Sequence, residues 1–304
     1  MSLLSVGTVA YDQIETPFGN SGKVVGGAAT YISLSASFFV DQSNIVSVIG
    51  DDFSKDFLTK MEAKGINLDG LQIKQGEKSF FWEGKYHYDM NTRDTLVTDL
   101  NVLADFDPIL PRDYHDCGFL MLGNLSPDVQ MRVIEQLETR PKLVVLDTMN
   151  FWMDIALEKL HEVISKVDVL TINDEEARQL SGEYSLVAAS RKILKMGPRF
   201  LIIKKGEHGA LLFHEDKMFF APALPLEVVK DPTGAGDTFA GGFVGYLTKT
   251  RDVSFENMKR AIIVGAAMAS FTCEEFGVER LLTLNKDEIN KRIHKFVELV
   301  RFQI

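Results

Sequence analysis

Short unbroken apolar runs alternate along this chain with stretches whose apolar residues recur every three or four positions. The runs over 2–6, 45–49, 118–122, 143–146, 167–172 and 199–204 are closed by Gly, Asp, Asn or Lys and read as strands covered on both faces. Helical periodicity fills 54–64, 127–137, 153–164, 185–195, 257–272 and 285–302. This rhythm predicts an α/β fold, a mainly parallel central sheet sandwiched by helices. Two segments break it. Residues 16–25, with Pro17, Gly19, Asn20 and Gly22, read as a hairpin or exposed excursion. Residues 71–99 alternate residue by residue in pieces such as 79–83 and 85–89, punctuated by Gly76 and Gly84, and read as antiparallel strands. Together they predict a small β-sheet lid, formed by about 12–25 and 71–99 and inserted in a single domain spanning 1–304. A further hairpin is expected at Glu215-Asp216. No repeat or linker divides the chain.

Composition narrows the function classes. The 304 residues carry 33 basic and 43 acidic side chains, a net charge of -10, which disfavours nucleic-acid partners and a basic membrane-surface patch. A small anionic cofactor would need a local positive site. Two cysteines, Cys117 and Cys273, form neither a disulfide framework nor a zinc cluster. No basic leader precedes the first apolar run and no apolar stretch approaches the ~18 residues of a membrane helix, so a cytoplasmic location is expected.

The most informative stretch is DPTGAGDTFAGGFVGYL, 231–247. Apolar residues at Phe239, Phe243, Tyr246 and Leu247 recur at helical spacing, so the preceding glycines open a helix and Asp237 falls in its first turn. A helix start carries free N–H groups and partial positive charge, and Gly234 and Gly236 have no Cβ to hold an anion away. A carboxylate at an anion cradle repels what the amides attract. Its presence makes sense if Asp237 takes a proton from a substrate hydroxyl while the amides stabilise a transferring phosphoryl group; the bland alternative is an acidic residue that only complements the helix dipole. A dinucleotide fingerprint fails because Phe239 stands where its third glycine belongs, and a P-loop fails because Asp237 and Thr238 replace its Lys and Ser/Thr.

Other candidates cluster at strand ends. Asp12 follows the first strand and could accept from substrate hydroxyls or serve as a turn residue. Gly26-Gly27 starts a second helix, with Tyr31 on its inner face, and the two glycine-started helices could face one site. Asn173 and Glu176 have capping-box spacing, or could organise a metal ion and its waters beside phosphates. Lys204 and Lys205 could supply the local positive charge, and Gly206 and Gly209 would let a nucleotide approach the backbone. The aromatics of 79–89 could stack on a ligand or seal the lid against a second copy in a homodimer.

Taken together, DPTGAGDTFAGGF, VVGGAATYISLSASFF and NDEE, in their order, resemble the motifs of the ribokinase-like (PfkB) family of carbohydrate and nucleoside kinases over nearly the whole chain. The resemblance implies ATP-dependent phosphoryl transfer to a hydroxyl of a small sugar or sugar derivative. Asp237 is then the base, and the amides of Gly234, Ala235 and Gly236 the anion hole. Asn173 and Glu176 organise magnesium through water, Lys204 and the Gly206–Gly209 turn lie near the nucleotide, and Asp12, Gly26, Gly27 and Tyr31 hold the acceptor. Asp231 and Thr233 match positions associated with a monovalent cation such as potassium. Ala10 and Tyr31 stand where many sugar kinases of the family carry Asn, so a nucleoside acceptor, its base stacked on Tyr31 or a lid aromatic, is the alternative. A regulatory protein that binds nucleotide or sugar without turnover is a third reading.

Overall fold

The computed structural model describes residues 2–301. In chain order, β1 (Leu3–Val6) leads into the hairpin β2 (Ala10–Thr16) and β3 (Gly19–Gly26), then α1 (Ala28–Ala36), β4 (Ser43–Gly50), α2 (Lys55–Ala63) and β5 (Ile66–Lys74). The pair β6 (Phe81–Tyr86) and β7 (Arg93–Asp99) precedes β8 (Phe119–Leu122), α3 (Pro127–Glu135), β9 (Leu143–Asp147), α4 (Asn150–Ile155), α5 (Leu157–Ile164), β10 (Val169–Asn173), α6 (Asp174–Ser181) and α7 (Leu186–Leu194). The chain closes with β11 (Phe200–Lys204), β12 (Ala210–His214), β13 (Lys217–Ala221), α8 (Ala235–Thr250), α9 (Phe255–Thr272), α10 (Glu279–Thr283) and α11 (Lys286–Leu299).

Among the described residues, nine strands form the main sheet in the order β13-β12-β11-β10-β9-β8-β1-β4-β5. Pairing is parallel from β5 through β11 and antiparallel at β12 and β13. The predicted apolar runs explain it, because a strand covered on both faces has no polar side to spare. Alternate residues serve opposite faces. Leu3, Phe119, Leu143 and Phe200 pack under α1, α8 and α9, whereas Leu4, Leu120, Val144 and Leu201 pack against α3, α5, α6 and α7. Small residues let α8 lie close to its neighbours: a Cβ on Gly241 would stand 2.2 Å from the Ile32 carbonyl oxygen, and one on Gly265 2.7 Å from that of Phe239. The helix rich in small residues, α9, thus packs closely as its composition suggests.

Strand order runs outward in opposite directions from the β1/β8 pair, the kind of switch point where open α/β sheets bind ligands. A second sheet, β3-β2-β6-β7, grows from the end of β1.

Several boundaries differ from the sequence expectation. The small sheet comprises 10–26 and 81–99, because 66–74 is β5, an edge strand of the main sheet paired with β4. An edge strand is covered on one side only, so it shows the same alternation as a lid strand. Residues 81–86 form one strand through Gly84, and β2 pairs with β6 in parallel, so the small sheet is mixed rather than wholly antiparallel. The helix expected over 153–164 breaks at Ala156 into α4 and α5. Short α10 was not anticipated, and Phe302, the expected end of the last helix, lies outside the described residues. No described helix is long and apolar enough to cross a membrane.

Candidate active site

Carboxyl ends of the main-sheet strands deliver polar side chains to one cleft beneath the small sheet. Helix α8 opens there. Its N-cap, Gly234, has φ 74°, and a Cβ at that position would stand 2.4 Å from the Tyr31 ring; only glycine fits both constraints. Ala235 N–H donates to the Pro232 carbonyl at 3.1 Å, so this amide is already engaged and does not belong to the free anion hole expected from the motif. Among the described residues, the N–H groups of Gly234, Gly236 and Asp237 have no acceptor, and they are the donors available to an anion.

A fixed cation stands beside them. The Nζ of Lys204, at the end of β11, lies 3.3 Å from where a Gly236 Cβ would be. It is held by Asp147, the last residue of β9, at 3.0 and 3.2 Å from the two carboxylate oxygens. Thr171 Oγ1 also donates to Asp147, at 3.1 Å. Burial works against the lysine charge, but Asp147, Glu176 and Asp237 outweigh it and hold Lys204 above its ordinary pKa. Lys204 therefore stands as a charged side chain beside the unpaired amides that open α8.

Burial pushes the Asp237 carboxyl up to about 7, with repulsion from Asp147 adding and Lys204 and Arg93 opposing. Asn173 and Glu176 form a complete capping box on α6: Glu176 N–H donates to Asn173 Oδ1 at 2.8 Å, and Asn173 N–H donates to Glu176 Oε2 at 2.7 Å. The other Glu176 oxygen has no partner among the described residues. This carboxyl too is raised to about 7, chiefly by burial.

Asp12 lies on β2 with its side chain under the small sheet, 5% exposed. A Cβ on Gly26 would fall 1.8 Å from one of its oxygens, so Gly26 makes room for the carboxylate. Burial, then Asp231 and Asp237, raise Asp12 to about 7. The second glycine-started helix is not a second anion cradle. Thr8 caps α1, accepting from Ala28 N–H through Oγ1 and from Ala29 N–H through its carbonyl, both at 2.9 Å.

Tyr31 offers no stacking surface: it is 1% exposed, with its ring against Gly234. Among the described residues its hydroxyl has no partner. Both Asp231 oxygens accept backbone N–H groups, from Thr233 at 2.8 Å and Gly277 at 3.1 Å. Gly206 and Gly209, at φ 54° and 84°, flank a tight turn after β11. Beside it opens a cavity of about 430 Å³ lined by Lys205, His208, Phe220, Pro222 and Pro225. A larger one, about 570 Å³, lies at the opposite end of the strands near Asp41, Asn44 and Arg251, far from these carboxylates.

The structure also selects among the aromatics of 79–89 and brings in Asp147 and Arg93 beside them. Trp82 and Asp12 are register partners on neighbouring strands, so they share a face. The indole lies over Gly84, where a Cβ would meet it at 2.1 Å. Tyr86, two residues on, accepts from Thr233 Oγ1 at 3.2 Å, which turns that face toward the start of α8. Arg93, the first residue of β7, is the register partner of Tyr86 on β6. Asp147 had a signal, an acidic residue ending an apolar run as Asn173 does; Arg93, a lone basic residue in an alternating segment, had none.

Comparison with known proteins decides the family. The sequence model of the pfkB family carbohydrate kinases matches residues 2–283. The chain belongs to this family. A cytidine kinase from Thermococcus kodakarensis is 29% identical to this pfkB-family kinase over 257 residues, 83% of this chain and 90% of the relative. The 2-dehydro-3-deoxygluconokinase of Thermoproteus tenax is 24% identical over 249 residues, 74% of each chain. Among solved structures, the Methanocaldococcus jannaschii nucleoside kinase, an archaeal member of the ribokinase family, superposes with a TM-score of 0.76 at 22% identity, covering 97% of this chain and 98% of its own. The fold is ribokinase-like, and this pfkB-family kinase is a phosphotransferase with an alcohol group as acceptor.

Proposed function

We propose that the chain transfers the γ-phosphoryl group of ATP to a hydroxyl of a nucleoside. One observation carries the choice of acceptor: the Asp12 carboxylate and the Trp82 indole are adjacent on the face of the small sheet that looks onto the anion hole. A buried carboxylate suits paired sugar hydroxyls, and a flat indole suits a base. The similarity to a cytidine kinase supports this reading. Similarity to a deoxygluconokinase favours a second one, a small sugar derivative held by Asp12 alone.

Residues present fit a nucleotide phosphate. Three N–H groups at the start of α8 lack acceptors and Lys204 stands next to them, and the cavity beside the Gly206–Gly209 turn has room and apolar walls for a base. Among the described residues no cluster of three acidic, His or Cys side chains could cage a metal; magnesium would be held by phosphates and waters, with the free oxygen of Glu176 beside it. When bound, it supplies charge neutralisation across the phosphates. A monovalent cation at Asp231 and Thr233 would share a carboxylate whose two oxygens each already accept one N–H group.

In the reaction, Asp12 orients the acceptor and Asp237 takes the proton of the attacking hydroxyl as the new O–P bond forms. The amides of Gly234, Gly236 and Asp237, with Lys204, stabilise the charge on the phosphoryl oxygens. The small sheet, lying over the cleft, keeps water from competing.

The test is an ATP-to-ADP assay across nucleosides, pentoses, hexoses, sugar acids and sugar phosphates, with and without potassium. Cytidine or another nucleoside is expected to give the highest kcat/KM, and Trp82→Ala to raise KM for it about 10-fold or more, by the ~1–3 kcal/mol a base–aromatic stack contributes. A sugar derivative outcompeting every nucleoside, with Trp82→Ala silent, would replace this reading with the second. Ligand-induced melting shifts without turnover of any acceptor would remove both.

A further inference from the structure

The cavity at the amino ends of the strands takes no part in the site described above. Its volume, about 570 Å³, falls in the range of pockets that enclose a small molecule. Helix α8 spans the distance between the two sites: Ala235 opens it at the anion hole, and Arg251, one residue past its end, lines the cavity. At 1.5 Å per residue that is about 24 Å. One side chain points to an occupant. Asn44, the second residue of β4, lines the cavity and is 5% exposed, yet its carboxamide has no hydrogen-bond partner among the described residues. A buried amide left unpaired costs free energy that a ligand in the cavity would recover. Asn67, its register partner on β5, presents a second carboxamide beside it; its Oδ1 accepts from Asp69 N–H at 2.9 Å, which leaves its Nδ2 as a donor. The ladder shifts register just past this pair, with one extra residue on β5, a bulge of the kind that re-aims side chains beside binding sites.

Charge is divided across the cavity. At one end stand Lys249 and Arg251, neither of which forms an ion pair within 4.0 Å among the described residues. The neighbouring acid, Asp252, is taken up by Ser254, accepting its N–H at 2.8 Å and its hydroxyl at 3.0 Å. Lys142 Nζ donates to the Arg251 carbonyl at 2.5 Å. That contact offsets the negative end of α8 and sets this side of the cavity near β9, which Lys142 directly precedes. Asp41 and Asp113 belong to the other end. Asp41 packs on Gly65, the residue before β5, where a Cβ would be 2.5 Å from the Asp41 carbonyl oxygen. Tyr114, next to Asp113, donates from its hydroxyl to the Asn67 carbonyl at 3.3 Å. In the main sheet β9 and β5 are separated by β8, β1 and β4, with neighbouring strands ~4.8 Å apart. The cations therefore lie toward one end, the carboxylates toward the other, and Asn44 between them.

We infer that this cavity is a second, non-catalytic binding site for a phosphomonoester of a hydroxyl-bearing compound, the class of molecule that a phosphotransferase with an alcohol acceptor releases. The phosphate lies against Lys249 and Arg251, whose ammonium and guanidinium donate to its oxygens. Asn44 and Asn67 bond the hydroxyls or the heterocycle edge of the body of the ligand. Asp41 and Asp113 accept from hydroxyl or amino groups at the far end, where a second phosphate would be repelled. The inference uses the phosphotransferase class alone and holds whether the acceptor is a nucleoside or a sugar derivative.

The test titrates the full chain by calorimetry with CMP, ribose 5-phosphate and inorganic phosphate in turn, and locates each probe by amide hydrogen exchange. CMP or ribose 5-phosphate is expected to bind and to slow exchange in 37–42 and 249–253, which flank the cavity; the tighter of the two identifies the body of the ester. Lys249→Gln/Arg251→Gln should weaken that binding about 10-fold or more, as for loss of charge-assisted contacts, and Asn44→Leu about 5-fold. Both variants should keep kcat and KM in the ATP-to-ADP assay within about twofold, because neither touches the start of α8. Ester binding that slows exchange only around the small sheet and 233–238, and that the double variant leaves unchanged, would overturn the inference. So would unchanged exchange in 37–42 and 249–253 with every probe at about 10 mM. Inorganic phosphate bound as tightly as both esters would remove the role of the two amides and overturn the ester assignment. If Asn44→Leu fails to fold, the double variant, confined to exposed side chains, carries the comparison. Failure of the nucleoside reading would appear in the acceptor assay and leave these outcomes unaffected.

Discussion

Removing the ammonium of Lys204 with Lys204→Met separates what the Lys204–Asp147 pair does for stability from what it does for phosphoryl transfer. Asp147 is 5% exposed. Without Lys204 its carboxylate keeps, among the described residues, two neutral donors, Thr171 Oγ1 at 3.1 Å and Thr148 N–H at 3.2 Å. Breaking one side of a buried pair costs about 3–5 kcal/mol. The low end, about 3 kcal/mol, applies here because the Lys204 side chain retains 20% exposure. Changing the partner as well, in Lys204→Met/Asp147→Asn, removes the stranded charge and keeps an amide for the two donors, so the cost should fall to about 1 kcal/mol. Turnover should not follow. Both variants lack the cation beside Gly236 and should remain about 10²-fold down; in the single variant the acid limb of the pH–rate profile is displaced upward because Lys204 no longer favours ionised Asp237, whereas in the double variant loss of the Asp147 repulsion, the larger of the two influences, offsets that displacement. Urea unfolding at unchanged m gives the stabilities, and steady-state kinetics the rest. A loss below about 1 kcal/mol in the single variant would refute the claim that Asp147 depends on Lys204. Recovery of turnover in the double variant would refute the role of Lys204 in catalysis.

Two further changes probe the same centre. Asp237→Asn should lower turnover about 10²- to 10⁴-fold while nucleotide-induced melting shifts persist; in the unaltered enzyme kcat/KM should fall as pH drops through about 7, where the Asp237 carboxyl protonates. Asp12, Glu176 and Asp237 all sit near 7, so between about pH 4 and 7 the folded state holds protons that the unfolded chain has released. Stability should therefore decrease as pH rises through that window, and Asp237→Asn should flatten the slope; a slope unchanged by the substitution would count against the raised carboxyl. Gly234→Ala meets left-handed backbone and a buried ring 2.4 Å away, and is expected to cost about 2–4 kcal/mol. A loss below about 1 kcal/mol in urea unfolding would show that the Tyr31 ring gives way.

The sequence by itself determined the elements and the reaction. Buried strands announce themselves because both faces must be apolar, and a motif such as 231–247 is legible because its turn, its glycines and its acid are neighbours in the chain. Local hydrogen bonds were equally readable: the Asn173–Glu176 capping box follows from spacing alone. Tertiary structure decided what depends on residues far apart meeting. It showed β5 to be an edge strand rather than part of the small sheet, because alternation reports a half-covered face without saying which sheet provides the cover. It closed Tyr31 under Gly234, gave the α1 amides to Thr8 and the Ala235 amide to Pro232, and brought Lys204 to Asp147 across 57 positions of sequence. Arg93 could not be read at all, and among the aromatics of 79–89 offered for stacking nothing in the sequence selected Trp82 or Tyr86: in an alternating segment a side chain's face is set by strand register, and its charge neighbours by how one sheet lies over another.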